Sequence, residues 1–284
     1  MTDHKPFKRS IVVTGASTGI GYACAVRLAA GGFQVFAGVR TEAACLQLGA
    51  VSGVTPVILD VTSGDDVDAL AERLSHDSPD GIWGLINNAG IAVAGPLECV
   101  TTEDLDAVLS VNVSGLLRVS QGLLPLLKKA QGRIINMGSI SGSAPLPCTG
   151  AYAASKAAVA VLSDVLSMEL RSEGVGVALI EAGRIDTPIW SKAAATVPAT
   201  GTSSETLERF QAGLLRGGGL KPAAVAEVVY QAFLARKMKR RYIVGPDAVR
   251  LSRWRILPAF LRERWMLQRC GLAEVSERSS ETQR

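Results

Sequence analysis

Tyr152 and Lys156 stand four residues apart in "TGAYAASKAAV", Thr149 to Val159, among small side chains. On a helix that spacing brings the two onto one face. A phenol ionises near pH 10 and an adjacent ammonium favours its phenolate, so such a pair can move a proton near neutral pH. A half-buried tyrosine beside a solvated lysine has the same spacing, and the pair by itself does not separate the two readings. A second stretch with chemical content is "TGASTGIG", Thr14 to Gly21, directly after an apolar run. Glycines at 15, 19 and 21 allow a tight turn whose main-chain N–H groups, with the N-terminus of a following helix, can hold a pyrophosphate. The spacing is GxxxGxG rather than the commoner GxGxxG, and a plain strand-to-helix turn can also be glycine-rich.

The elements that must position these residues follow from the pattern along the chain. Apolar, β-branched runs recur at "SIVVT" (10–14), "FQVFAGV" (33–39), "TPVILD" (55–60), "GLINN" (84–88), "RIINMG" (133–138), "VGVALIE" (175–181) and "YIVG" (242–245). Their hydrophobicity is continuous rather than alternating, as in strands covered on both faces of a parallel sheet. Stretches between them, such as "GYACAVRLAAGG" and "SGDDVDALAERLSH", are long enough for helical crossovers. The expected architecture is an α/β, doubly wound Rossmann fold with a mostly seven-stranded parallel sheet, in a single domain over residues 1–246. Within it, residues 188–220 break the rhythm with small residues and Gly217–Gly219, and read as a mobile insertion with a short helix near "SETLERFQAGLL". Residues 247–275 read as a basic amphipathic helical extension and 276–284 as a disordered tail.

At 284 residues and 48% hydrophobic content the chain can bury one large core, and no internal repeat or linker divides it. Five cysteines, odd in number, scattered and without a CxxC pair, argue against a disulfide framework or a zinc site. The opening "MTDHKPFKRS" has no apolar signal core, and no uninterrupted apolar run reaches the length of a membrane span. The expected location is cytoplasmic. His4 and His76 are the only histidines and lie outside the motifs, which disfavours a His-based triad, and no metal site is expected. The net charge of +4 is uneven: from Arg236 to Arg269 eleven Lys or Arg face only Asp247 and Glu263, so +9 sits there and −5 elsewhere. The basic character is therefore local, and no nucleic-acid partner is expected.

Taken together, the motifs resemble the short-chain dehydrogenase/reductase family. In order, the chain carries "TGASTGIG", Asp60-Val61, "NNAG" (Asn87 to Gly90), "VNVSG" around Asn112, "GSISG" with Ser139, then Tyr152 and Lys156, spanning about residues 10 to 190. The resemblance implies that Tyr152 is the general acid in carbonyl reduction or the base in alcohol oxidation. Lys156 would lower its pKa and hold the nicotinamide ribose, Ser139 would bond the substrate oxygen, and Asn112 would fix a water linking Lys156 to solvent. Gly15, Ser17, Thr18, Gly19, Ile20 and Gly21 would hold the dinucleotide, Asp60 and Val61 would meet its adenine, and Asn88, Ala89 and Gly90 would line its cleft. Asp60 could instead be a strand-end cap. The family's PG signature appears as "AGRIDTP", with Ala182 in place of proline, and Ile185 and Thr187 fall where the nicotinamide amide would be held.

Which nicotinamide cofactor is used depends on the end of the second strand. A carboxylate there would bond the ribose 2′-OH of NAD(H), whereas an arginine can neutralise the 2′-phosphate of NADP(H). Val39 and Arg40 in "GVRTEA" favour NADP(H), with NAD(H) as the alternative; otherwise Arg40 only pairs with Glu42. Ile189, Trp190, Val197, Leu207 and Phe210 suit a lid over a greasy substrate, and Cys148 is close enough to Tyr152 to line a pocket. "FAGVR", "GPL", "GSISG" and "TPIW" resemble the branch of retinol and 17β-hydroxysteroid dehydrogenases, which implies a small hydrophobic alcohol or ketone; a 3-oxoacyl thioester reductase is the nearest rival. A non-catalytic dinucleotide sensor need not keep the proton-transfer groups, and an epimerase would need a longer C-terminal domain. The family also implies a homodimer or homotetramer through the helical stretches that carry Leu116, Leu117, Leu123, Val159 and Leu162. In the extension, Trp254, Leu257, Leu261 and Trp265 form an apolar stripe, and Pro258 ends one helix and opens another. The stripe is expected to pack on the domain or on a partner subunit; peripheral contact of 247–269 with an anionic membrane is the less favoured alternative.

Overall fold

The computed structural model describes residues 9–193, 208, 218–254 and 258–269. The expected helix near 204–215, the lid residues Val197, Leu207 and Phe210, the stripe residue Leu257 and the tail 276–284 lie outside them. Seven strands form one parallel sheet: β1 (Ser10–Val13), β2 (Gln34–Val39), β3 (Val54–Ile58), β4 (Gly84–Asn87), β5 (Arg133–Met137), β6 (Gly176–Ala182) and β7 (Arg241–Val244). Their order is β3-β2-β1-β4-β5-β6-β7, so the direction of winding reverses between β1 and β4, and a crevice opens at the C-terminal ends of those two strands. Each strand falls within two residues of its apolar run. The doubly wound Rossmann fold and its seven parallel strands are thus as the sequence implies.

Continuous hydrophobicity follows from the pleat, which sends alternate residues to opposite covered faces. Ile11, Val13, Val35 and Ala37 enter one core, beneath α1 (Gly19–Ala30) and α8 (Pro222–Leu234). Val12, Phe36, Leu85 and Ile134 enter the other, beneath α3 (Gly64–Asp77) and α5 (Leu116–Lys129). The helices start where the sequence supplies caps. Thr41 accepts from Ala44 N–H at the head of α2 (Glu42–Gly49), Ser63 accepts from Asp66 N–H before α3, and Thr101 and Asp104 form a capping box on α4 (Thr102–Leu109). Pro222 stands in the first turn of α8, where its missing N–H costs nothing. A wide π turn, Ser110–Gly115, joins α4 to α5. Residues 102–129 and α6 (Gly150–Glu169) are long and apolar enough to cross a membrane by composition. Both are helices against the sheet, burying Val108, Leu123 and Val159 completely.

Beyond the motif regions, α7 (Ile189–Ala193) follows β6, and α9 (Pro246–Trp254) and α10 (Ala259–Arg269) follow β7. The residues that anchor these last two helices differ from the expected stripe. Ala248, Leu251 and Met266 pack against Ile140 and Ala144, whereas Leu261 is 43% exposed and Phe260 67%. Pro258 separates the two helices, so a single helical period cannot run from Trp254 through to Trp265. The loop after β6 is held at both ends. Asp247 accepts the Arg184 N–H at 2.7 Å, Gly183 has no room for a side chain against the Asp247 carboxylate, and Ile185 forms an isolated parallel bridge with Leu220. Those contacts fix the loop that lacks the family's proline.

Candidate active site

The Gly-rich loop rests on close approaches that a side chain would block. Gly15 and Gly19 have φ of +63° and +60°, in the left-handed region, and a Cβ at Gly15 would come 2.7 Å from Ala89 Cα. One at Gly21 would strike the Asn88 amide and the Gly15 carbonyl. In the space so cleared, Thr14 and Asn88 join the ends of β1 and β4. Thr14 Oγ1 accepts from the N–H groups of Asn88 and Ala89, each at 3.0 Å. Asn88 Nδ2 donates to the Thr14 and Gly15 carbonyls at 3.0 and 2.9 Å. α1 then starts after Thr18, whose side chain makes no capping bond. Its first N–H groups therefore stand ready for an anion.

A cleft of about 510 Å³ extends from this loop. Gly15, Ser17, Thr18, Gly19 and Ile20 border it, as do Arg40, Asp60, Val61, Asn88, Ala89, Gly90, Tyr152, Lys156 and Thr187. Gly21 lies behind the loop, and Ile185 turns its side chain into the core. Arg40 is exposed and makes no ion pair with Glu42 or any other described residue. Asp60 accepts from the N–H and hydroxyl of Thr62 at 2.8 and 2.7 Å. Those bonds, ahead of the charges of Arg40 and Arg118, hold its carboxyl below the usual range. Asp60 therefore caps the turn after β3 as well as bordering the cleft.

α6 brings the proton-transfer pair to the cleft. The turn Ile140–Gly142 presses so closely on this helix that a Cβ at Gly142 would stand 2.8 Å from the Lys156 carbonyl carbon. Ser139, which caps that turn by accepting from Ser141 N–H at 3.1 Å, is thereby brought close to the Tyr152 phenol. Lys156 Nζ donates to the Met137 carbonyl at 2.7 Å and lies 5.6 Å from the centre of the Tyr152 ring. Asn112, in the π turn, accepts from Ile91 N–H at 2.8 Å and donates to the Ile91 carbonyl and Ser155 Oγ, each at 2.9 Å. Both its amide hydrogens are thus engaged by protein groups. Cys148 is buried with φ of +64°, a strained conformation for a residue with a side chain. Its carbonyl accepts Gly95 N–H at 3.0 Å. Trp190 stands edge-on to Tyr152 at 5.1 Å between ring centres, in an apolar cluster with Ala92, Ala94 and Ile189.

The electrostatics correct one expectation. Burial pushes the Tyr152 phenol up to about 12, and the Ser139 hydrogen bond offsets this only in part. Burial also pulls the Lys156 ammonium down to about 8. Adjacency was expected to lower the phenol, but desolvation penalises both charged forms and outweighs it here. Lys192, Asp104, Ala107, Val111 and Met137 also border the cleft and were not anticipated. Lys192 follows Trp190 by two residues, so weighing the cations of the lid segment with its apolar residues would have found it. Asp104 and Ala107 sit in no motif.

Comparisons with known proteins converge on this geometry. A family described as short chain dehydrogenase matches residues 9–198. A 3-amino-tetrahydro-pyrrolizinone reductase of Xenorhabdus hominickii is 36% identical, over 86% of this chain and 90% of its own. An NADPH-dependent 3-dehydrocapnine reductase of Ornithobacterium rhinotracheale is also 36% identical, over 84% and 88%. Among solved structures, a short-chain dehydrogenase from Streptomyces avermitilis has a TM-score of 0.79 at 29% identity, covering 92% of this chain and 97% of its own. A Burkholderia cenocepacia relative in complex with NADP has a TM-score of 0.74 at 26% identity, covering 92% and 98%.

The buried ammonium carries a thermodynamic prediction. With a folded-state pKa near 8 against an ordinary 10.5, Lys156 disfavours folding fully below pH 8, and the penalty fades as pH rises to 10.5. Wild-type stability should therefore gain from Lys156 over that window, while the raised Tyr152 pKa removes stability only above pH 10. Lys156→Met should be more stable than wild type at pH 7, by on the order of 2–3 kcal/mol, and should lack the rise. Urea unfolding from pH 7 to 10.5 checks this, and equal stabilities at pH 7 would refute it.

Proposed function

Because the chain belongs to the short-chain dehydrogenase family of oxidoreductases, we propose that it is a carbonyl reductase. In this reading it interconverts a carbonyl and a hydroxyl on a small hydrophobic substrate, using NADP(H) in preference to NAD(H). The observation that carries the reading is that one cleft is bordered by the Gly-rich loop, Arg40, Tyr152 and Lys156 together. The clearances at Gly15, Gly19 and Gly21 and the uncapped start of α1 fit a dinucleotide pyrophosphate. When bound, the nicotinamide supplies the hydride.

The chain's own residues do the rest. Ser139 and Tyr152 offer two hydroxyls to the substrate oxygen, stabilising the alkoxide as it develops. Tyr152 then gives up its proton, and its raised pKa keeps that proton in place through the neutral range, which suits reduction. Lys156 holds the ribose and, as the nearest cation, favours the phenolate left behind. Asn112 serves a relay from Lys156 through its main chain or the second lone pair of Oδ1, since its amide hydrogens are engaged. Ile185 and Thr187 hold the nicotinamide amide. Arg184 and Asp186 make the bridge to Leu220, so the Ile185 N–H and C=O face away from it. Trp190 and Cys148 wall the substrate site, and α9 and α10 form a cover whose Leu251 and Met266 stand on Ile140, next to Ser139. Two relatives whose names describe reductases support the direction.

We also read the chain as a homo-oligomer. Val161, Val165 and Met168 lie along the outer face of α6, 63%, 37% and 60% exposed, at intervals that make one stripe. Leu116, Leu123 and Val159, expected there, are buried within the chain's own core. Light scattering at micromolar concentration should give at least a dimer, and a monomer would contradict this.

The overall test is oxidation of NADPH and of NADH across a panel of hydrophobic ketones and aldehydes. Tyr152→Phe should lose at least ~100-fold in turnover while binding NADPH nearly as wild type; turnover within a few-fold of wild type would sink the assignment. Arg40→Ala should weaken NADPH about 10- to 100-fold, the worth of a charge-assisted bond to phosphate, and leave NADH nearly unchanged. An equal loss for both would show that Arg40 does not read the phosphate.

A further inference from the structure

A second cavity lies at the opposite end of the strands from the proton-transfer pair. It has a volume of about 600 Å³ and sits at the N-terminal ends of β5 and β6, beside the C-terminal end of α6 and the segment before β7. Five cations border it, Arg133, Arg171, Arg236, Lys237 and Arg240, and no Asp or Glu does. Two of the five are engaged. Arg133 donates to the carbonyls of Ala232, Phe233 and Ala235 at the end of α8, and Arg240 pairs with Asp164 at 3.5 Å. Arg171, Arg236 and Lys237 have no ion pair with any described residue. The nearby Glu173 is taken by Lys128 at 3.1 Å.

The rest of the wall is apolar. Trp83, Met168, Val175, Val177 and Met238 contribute to it. Trp83 is flanked by two guanidinium groups, Arg9 at 4.0 Å and Arg133 at 5.2 Å from its ring centres. Its indole N–H is buried with no acceptor among the described residues. Burial lowers the pKa of Arg133, with Tyr242 opposing the shift and the charge of Arg9 adding to it.

We propose that this cavity binds a small amphiphilic anion, an organic phosphate with an apolar body, at a site separate from the dinucleotide cleft. The volume suits a ligand of that class. Arg171, Arg236 and Lys237 supply charge-assisted bonds to the phosphate oxygens, and Trp83, Met168 and Met238 take the apolar body. The proposal does not rest on the assigned reaction, since it uses none of the residues of that site.

The test measures binding of octyl phosphate to the full chain by calorimetry and by thermal shift, with inorganic phosphate and octanol as half-ligands. Octyl phosphate should bind saturably and raise the melting temperature, and each half-ligand should bind at least ~10-fold more weakly. The triple variant Arg171→Glu, Arg236→Glu, Lys237→Glu should lose at least ~10-fold in affinity. Its circular dichroism and its turnover should match wild type. Should that variant fail to fold, the single variant Arg236→Glu, at an exposed position, carries the same test. Saturating NADPH should leave octyl phosphate binding unchanged. Sedimentation with phosphatidate vesicles, lost in the same variant, would identify a lipid headgroup as the source of the phosphate; soluble binding without sedimentation would identify a free metabolite. No saturable binding, binding equal in the variant, or displacement by NADPH would each overturn the proposal.

Discussion

Gly15 stands so close to Ala89 that a methyl group between them would have no room, and the meeting of β1 and β4 at the switch point depends on that contact. Without it, Thr14 could not accept from two successive N–H groups of the second loop, nor could Asn88 reach back to two carbonyls of the first. The two loops are thus one hydrogen-bonded body, formed from segments more than seventy residues apart. Its outer surface keeps the main-chain N–H groups that begin α1. A ligand that bound here would meet loops already tied together, which reduces the ordering that binding would otherwise require.

The second constraint is burial of charge-bearing groups on α6. Lys156 and Tyr152 are 6% and 8% exposed, and each would be more comfortable neutral. The helix accepts this because small neighbours let the Ser139 turn come close, and because Met137 offers a carbonyl to the ammonium. A low-dielectric setting makes every remaining hydrogen bond and charge at the site count for more. The raised Tyr152 pKa and the lowered Lys156 pKa thus have one cause, burial.

The fold was legible because both faces of the sheet are covered, so each strand writes itself as an unbroken β-branched run. The candidate site was legible in its residue types, since Gly15, Gly21, Tyr152 and Lys156 are each dictated by a steric or chemical need at one position. What could not be read was the balance of opposing forces at that site. Spacing shows that Lys156 neighbours Tyr152 but not how far water is excluded, and exclusion decides the direction of both pKa shifts. Asn88 borders the cleft as expected, but its sequence position did not show that its amide also holds the Thr14 and Gly15 carbonyls, or that the Asn112 amide holds Ile91 and Ser155. Of the C-terminal stripe, Leu261 is exposed because Pro258 starts a new helix whose inward face carries Met266 instead. The inward turn of Leu116, Leu123 and Val159 was hidden because a helix with two apolar faces does not announce which one meets its own core.

The neck formed at Asp186 and Lys221 has a consequence for variation. These two side chains pair at 2.7 Å, next to the bridge between Ile185 and Leu220, so the chain leaves the sheet and returns through a single gate. More than thirty residues lie between. Because Ile185 and Leu220 are bridged to each other and Asp247 holds Arg184 from behind, the ends of that stretch are fixed by contacts outside it. A change in length beyond this junction would therefore leave the sheet and the Gly-rich loop as they stand.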